Sequence, residues 1–459
     1  MAIKVMNKYI FALVLFAVRP ADIWSQGPPE DEAYAHFTAL ITSPDTKQHA
    51  RAFTYLEKHW QPEFNSIAIE LAYLSPQRTV ETRLLSLLQK NTGQSFARDY
   101  NKWYEWLWNR EQELVPYYHG LKALMHRPID HRFIKYFKDR QEKAEIRLDE
   151  IRWGGVVQDG IPPLRYPKMI LAREATYLDD SNEVFGIAVN GDFRAYPKRI
   201  LAWHEMFVDT VGEVPVAGVY CTLCGTVILY RTTVNGENHS LGTSGFLYRS
   251  NKLMYDQKTQ SLWSTLQGKP VVGPLVGQDI ALEYLSTVTT TWGEWKKLHP
   301  ETTVLDINTG FQRDYGEGVA YKAYFATDDL MFNVPELDTS LKNKQSILAI
   351  RIPGSTDKSM ALSVDFLKEN PIYHNAIGDT GFVVFTDSTG ANRVYGTEGT
   401  YFVKYNPSTG VAIDRNGLEW KVKENTLVAP DGKTRKRLHS FNAFWFGWKA
   451  VYPETQLIK

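Results

Sequence analysis

The sequence predicts an α+β protein: a helical N-terminal segment followed by a mainly β module that is internally duplicated. Three observations predict it. Apolar residues recur at three- and four-residue spacing between Asp31 and Ile151. Beyond Gly154-Gly155 short β-branched and aromatic runs alternate with turn residues. A tryptophan motif ending in Pro-Glu-Thr occurs twice. The 459 residues are enough for two or three domains.

Residues 1–25 read as an address rather than as fold. Lys4 and Lys8 precede an apolar run, Tyr9 to Val18, that Arg19-Pro20 ends. That run is about ten residues, against roughly 20 needed to span a bilayer, so it fits a secretory signal cut near Ser25–Gln26. The expectation is an exported protein, periplasmic or extracellular, with no stable membrane span after cleavage. An uncleaved run would leave it membrane-anchored, and no cysteine follows the run to carry a lipid. Lys+Arg and Asp+Glu both number 52, which excludes the basic excess of a nucleic-acid or anionic-surface binder.

From 31 to 151 the helical reading rests on Leu84, Leu85, Leu87 and Leu88 and on Trp103, Trp106 and Leu107. Pro62, Pro76, Pro116 and Pro128 cut the stretch into helix-length pieces. Leu84 to Gln94, followed by Asp99 and Trp103, resembles a unit of a HEAT-type helical repeat. In the module beyond, strands are expected at Val184–Val189, Val214–Tyr220 and Thr226–Tyr230, with Asn190-Gly191, Asn235-Gly236 and Asp431-Gly432 as turns. A short helix is expected over Thr291–Leu298.

The repeat divides this module. Trp292-Gly-Glu-Trp295…His299-Pro-Glu-Thr302 returns as Trp445-Phe-Gly-Trp448…Tyr452-Pro-Glu-Thr455. Looser matches join Ala202-Trp-His204 to Ile372-Tyr-His374, and Tyr255-Asp-Gln-Lys-Thr259 to Tyr405-Asn-Pro-Ser-Thr409. The halves are expected at 165–310 and 340–459, and Cys-x-x-Cys is found in the first alone.

Cys221 and Cys224 are the two cysteines of the chain, within Cys221-Thr-Leu-Cys224-Gly225. A bridge closing so short a loop contributes only about 2 kcal/mol, so stapling explains the pair poorly. One reading is a redox dithiol, although the pair lies between strand-like runs and opens no helix. The other is a metal knuckle, in which Gly225 relieves the turn and zinc or copper takes its remaining ligands from His, Asp or Glu. His204 is the first candidate for ligand or catalytic base, with Glu205 or Asp209 to orient it or handle protons. His239 and His299 are weaker candidates. Ser244, Tyr248, Arg249, Asn251, Asp256 and Trp263 are expected to line a substrate groove, with Arg249 and Asp256 as an ion pair or an anion-reading pair. No phosphate loop, dinucleotide fingerprint or His-Glu-x-x-His occurs.

Gly160-Ile-Pro-Pro-Leu164, Val189-Asn-Gly-Asp-Phe-Arg-Ala-Tyr-Pro197, Trp203-His-Glu205, Tyr220-Cys-Thr-Leu-Cys-Gly-Thr226, Ser244-Gly-Phe-Leu-Tyr-Arg-Ser-Asn251, Met254-Tyr-Asp256 and Leu262-Trp-Ser264 stand in order. Together with Trp292-Gly-Glu-Trp295 they resemble the domain of unknown function 3179 family of bacteria and archaea, over roughly 150–459. The resemblance implies that the Cys turn and Trp-His-Glu matter, and it implies no reaction. Three functions are carried forward. The first is a metal- or thiol-centred site at the Cys turn acting on an unknown small molecule. The second is a cell-envelope module for a glycan or peptide in which the cysteines are structural. The third is an exported dithiol oxidoreductase.

Overall fold

The computed structural model describes residues 31–111, 113–138, 143–352 and 359–459. The expected signal segment, 1–25, lies outside the described residues. Among them no helix is long and apolar enough to cross a membrane.

The described residues open with helices Glu32–Thr42, Thr46–His59, Phe64–Leu74, Arg78–Thr92, Tyr100–Trp108 and Tyr118–His126. Asp31, Asp45 and Asp99 cap three of them by accepting from first-turn amides. Gly93, with φ +73°, ends the Arg78–Thr92 helix in a left-handed cap. Their apolar faces share one core with Phe246, Leu253, Tyr255 and Val271 of the first β sheet. Glu70, Lys122 and Tyr118 are buried at the centre of these helices, where Tyr118 Oη donates to Glu70 over 2.6 Å.

From Ile151 onward the chain is mainly β, and the α+β expectation holds. The sheet that carries the repeated motif runs Thr287–Thr291, Glu183–Val189, Asp192–Pro197, Thr303–Leu305, with Met169–Leu171 at its edge. A second sheet runs Ser440–Phe444, Ser346–Arg351, Ser359–Ser363, Gln456–Ile458 in the same order. In each, the first three strands are antiparallel and the fourth joins in parallel, Thr303 opposite Arg194 and Gln456 opposite Met360. In each, a helix precedes that fourth strand, Trp292–Leu298 or Trp445–Val451. Trp295 Nε1 donates to Thr302 Oγ1, and Trp448 Nε1 to Thr455 Oγ1, both over 2.9 Å. The motif therefore recurs because a buried indole needs a partner and the threonine supplies it.

Between these motif strands each half runs a helix and then a three-stranded meander. Met206–Val211, Val214–Cys221 and Thr226–Arg231 in the first half answer to Ile372–Ile377, Thr380–Thr386 and Asn392–Gly396 in the second. This order corrects one sequence match. His204 ends the helix Lys198–His204, whereas His374 lies inside the strand that follows the helix Val364–Glu369. The other loose match agrees with register, since Tyr255 opposes Leu262 and Tyr405 opposes Ala412 across equal hairpins. Asn190-Gly191 and Asn235-Gly236 form turns with both residues at positive φ, as expected. The halves meet through one core that joins Ala217, Val219 and Ile228 to Ile347, Ala349, Phe441, Trp445 and Trp448.

Gly186 tests the packing of the motif. A Cβ at this position would lie 2.4 Å from the Trp295 ring. Gly186→Ala is expected to cost about 1–3 kcal/mol, read as a lower denaturation midpoint with an unchanged slope. An unchanged midpoint would show that the indole shifts freely.

Candidate functional site

The cysteine turn joins the Val214–Cys221 and Thr226–Arg231 strands, with Cys221 opposite Thr226 in register. Gly225 adopts φ +61°, and a side chain there would stand 2.9 Å from the Phe444 ring. The Cys221 and Cys224 sulfurs lie at disulfide distance, their Cα atoms 5.6 Å apart. The second half clamps the turn: Phe444 N donates to Cys224 O over 2.7 Å. Gly447 makes the approach feasible, because a Cβ there would fall 2.6 Å from Cys224 Cβ. Leu247, Tyr324, Val334 and Phe446 complete an apolar surround, and the cysteines are 2% and 1% exposed.

Beneath the turn lies a buried charge pair. Glu205 ends its helix at φ +55°, a left-handed conformation that a non-glycine residue holds only under constraint. Its Oε1 accepts from Thr222 Oγ1 at 2.6 Å and from Tyr321 Oη at 3.0 Å. Its Oε2 is ion-paired with Lys252 Nζ, and both residues are buried. Burial pushes the Lys252 ammonium below its ordinary pKa, while Glu205 pulls it back. Thr222 stands between the two cysteines, so this network reaches into the turn itself. Tyr324 Oη donates to Leu223 O over 2.7 Å from the same covering segment as Tyr321.

Glu205 is thus where the sequence reading put a proton-handling group, but the histidines are not with it. His204 Nδ1 donates to Pro162 O at 2.9 Å, and its Nε2 accepts from Tyr315 Oη at 2.5 Å. Asp209 does not orient that ring; it pairs with Arg194 and Tyr196, both within 2.9 Å. His239 lies 3.5 Å from Asp256, and His299 lies 3.5 Å from Glu424. Among the described residues no group of three or more His, Cys, Asp or Glu side chains is placed to hold one metal ion. His204 is thus held by Pro162 and Tyr315, and among the described residues it forms no shared donor group with Cys221 and Cys224.

The expected groove residues are also placed differently. Ser244, Asn251, Asp256 and Trp263 are buried interior positions, not groove walls. Ser244 Oγ donates to Leu253 O at 2.5 Å and accepts from Phe246 N at 3.0 Å, which closes a bulge. Arg249 pairs with Glu150 and not with Asp256, its Nε lying 2.5 Å from the carboxylate, and it stacks on the half-buried Tyr248. Asn251 Nδ2 holds Gly447 O at 2.9 Å. Arg249 and Asn251 thereby fasten Glu150 and the second half, through Ala450 O and Gly447 O, to the hairpin end at 249–251. An open cavity of about 740 Å³ lies beyond Tyr321 and Tyr324, walled also by Trp203 and Met331.

Sequence reasoning missed Lys252 and the 313–331 segment. Lys252 had a signal, a lysine inside the strand-like run Asn251-Lys-Leu-Met-Tyr-Asp256. The segment fell between the two expected halves, where motif matching does not look.

His204 gives the pH test of this geometry. Burial lowers its pKa in the fold, so the unfolded chain takes up the proton first. Its stabilising contribution is complete above the unfolded value of about 6.5 and is lost as pH falls below it. Urea unfolding at falling pH is expected to show declining stability, with a shallower decline in His204→Gln. His126 and His439, held at about 4 and about 3, sustain the remaining slope. Equal slopes in both proteins would mean that the ring protonates freely in the fold.

No curated protein and no solved structure matches the chain. Residues 158–455 match the family model described as "Protein of unknown function (DUF3179)". The match spans both halves of the β module, the cysteine turn and the Glu205–Lys252 pair, and the chain belongs to that family.

Proposed function

We propose that this is an exported protein whose Cys221–Cys224 pair interconverts between disulfide and dithiol. Glu205 and Lys252 hold the proton that the interconversion requires. The observation that carries this reading is the placement of that ion pair. A buried carboxylate–ammonium pair contributes little net stability, and a disulfide closing so short a loop contributes only about 2 kcal/mol. Neither feature earns its position by stability alone, yet Thr222 joins them. Lys252, its pKa lowered by burial, joins the turn through Glu205 and Thr222, and a perturbed group so placed supports a functional site.

The chemistry balances as thiol–disulfide exchange with a substrate dithiol. A substrate thiolate attacks one cysteine sulfur; the new S–S bond forms as the Cys221–Cys224 bond breaks, its electron pair leaving on the second sulfur. That sulfur takes a proton, for which the Lys252 ammonium is the acid that Thr222 and Glu205 link to the turn. The second substrate thiolate displaces the first cysteine, which is protonated in turn. Two electrons and two protons pass to the cysteine pair, and a substrate disulfide is released. The covering segment around Tyr324 has to swing aside, and its construction of turns around one four-residue helix, Lys322–Phe325, suits local opening. Export agrees with a cysteine pair at disulfide distance and with Lys4 and Lys8 ahead of the Tyr9–Val18 run.

A second reading is favoured by burial. Cysteines exposed by only 2% and 1% in apolar surroundings are typically inert. The disulfide then stiffens the turn, and the protein is an envelope module holding a glycan or peptide.

Thiol titration of the folded protein decides between them. Dithiothreitol is expected to expose two thiols without unfolding, and an oxidised dithiol is expected to remove them again. Cys224→Ser abolishes the cycle at a stability loss of about 2 kcal/mol or less. Thiols that appear only once the protein unfolds would sink the exchange reading and leave the binding module.

A further inference from the structure

The cavity beside the cysteine turn has a chemistry of its own. Trp203, Tyr321, Tyr324, Val319 and Met331 give it an apolar, largely aromatic wall of about 740 Å³, a volume suited to a small organic ligand. Val319 and Met331, 39% and 45% exposed, open this apolar lining to solvent. Two cations stand in the same lining, Arg313 and Lys322, and no Asp or Glu accompanies them. Neither side chain forms an ion pair with a described residue; Arg313 bonds only to the adjacent Gln312 carbonyl. An apolar wall beside two unneutralised cations is complementary to a molecule with an apolar body and one anionic head.

We propose that this cavity binds an amphipathic carboxylate, and that the substrate of the cysteine pair is such a carboxylate carrying a 1,3-dithiol at the far end of its chain. The second clause rests on the exchange reading of the turn, whereas the first rests on the cavity alone. The two walls of the cavity nearest the turn connect the sites. Tyr321 Oη donates to Glu205 and Tyr324 Oη donates to Leu223 O, so a ligand against these rings touches both supports of the turn. Arg313 and Lys322 hold the carboxylate, the aromatic wall holds the chain, and the dithiol end faces the covering segment over Cys221 and Cys224.

Dihydrolipoate and its neutral amide, dihydrolipoamide, separate the terms, since they share body and thiols and differ in the head. Reduction of the folded protein's cysteine pair is expected to be at least tenfold faster with dihydrolipoate than with the amide. In Arg313→Gln/Lys322→Gln that ratio is expected to collapse towards one. Both positions are exposed, and circular dichroism checks that the variant is folded. Calorimetry with octanoate, which has no thiol, is expected to show binding that the double variant weakens tenfold or more. A ratio near one in the natural protein, or one unchanged by the double variant, overturns the substrate class. Absent octanoate binding, or binding equal in both proteins, overturns the cavity. If dithiothreitol also leaves the pair closed, the exchange reading itself has failed, and octanoate binding still judges the cavity separately.

Discussion

A charge pair placed out of reach of water organises the centre of this protein. Glu205 and Lys252 come from different elements, a helix terminus and a strand interior, and neither can remain charged there without partners. The carboxylate is satisfied by Thr222, Tyr321 and Lys252 together, so three chain segments are drawn to one point. That convergence sets the cysteine turn, fixes the covering segment above it and accounts for the positive φ of Glu205. The second half then closes on the turn from the other side, through the Phe444 amide and the space left at Gly447.

The two halves show what the first was adapted for. Where the first half has Cys221 opposite Thr226, the second has Thr386 opposite Asn392, joined by a 2.7 Å hydrogen bond between their side chains. The turn beyond is closed by Asp387, which accepts from Thr389 and Ala391 and pairs with Arg393. Arg393 in turn meets Glu424, whose pKa is driven far down by the arginines around it. The second turn is thus held by backbone hydrogen bonds together with polar side chains, and it contains no cysteine. The second turn is one residue longer, 387–391 against 222–225, and the cysteine pair belongs to the shorter turn of the first half.

Much of the fold was legible because it depends on local chemistry. Asn-Gly turns, proline punctuation and the Trp-Thr motif each constrain the backbone within a few residues, and the α+β division follows from them. The site was legible in part. Cys221, Cys224 and Glu205 stand out by type and spacing, and Glu205 does approach the turn. A histidine beside tryptophan looks the same in sequence whether it faces a ligand or a buried carbonyl, and the fold places His204 against Pro162 O and Tyr315. Arg249 and Asp256 were paired on proximity in the chain, but their partners Glu150 and His239 come from other segments. Lys252 and the Tyr321–Tyr324 cover were missed since their meaning arises only once distant segments meet.

Thiol exchange at the turn and the charge pair beneath it stand or fall together. An ammonium near the turn favours the thiolate, and so favours the reduced pair. The most direct measurement is the reduction potential of Cys221–Cys224 in the natural protein and in Lys252→Met, equilibrated in thiol buffers. The account predicts a pair that is more reducing in the variant, by about 30 mV or more. A potential unchanged by the substitution would show that the buried pair does not sense the sulfurs, and would contradict the account.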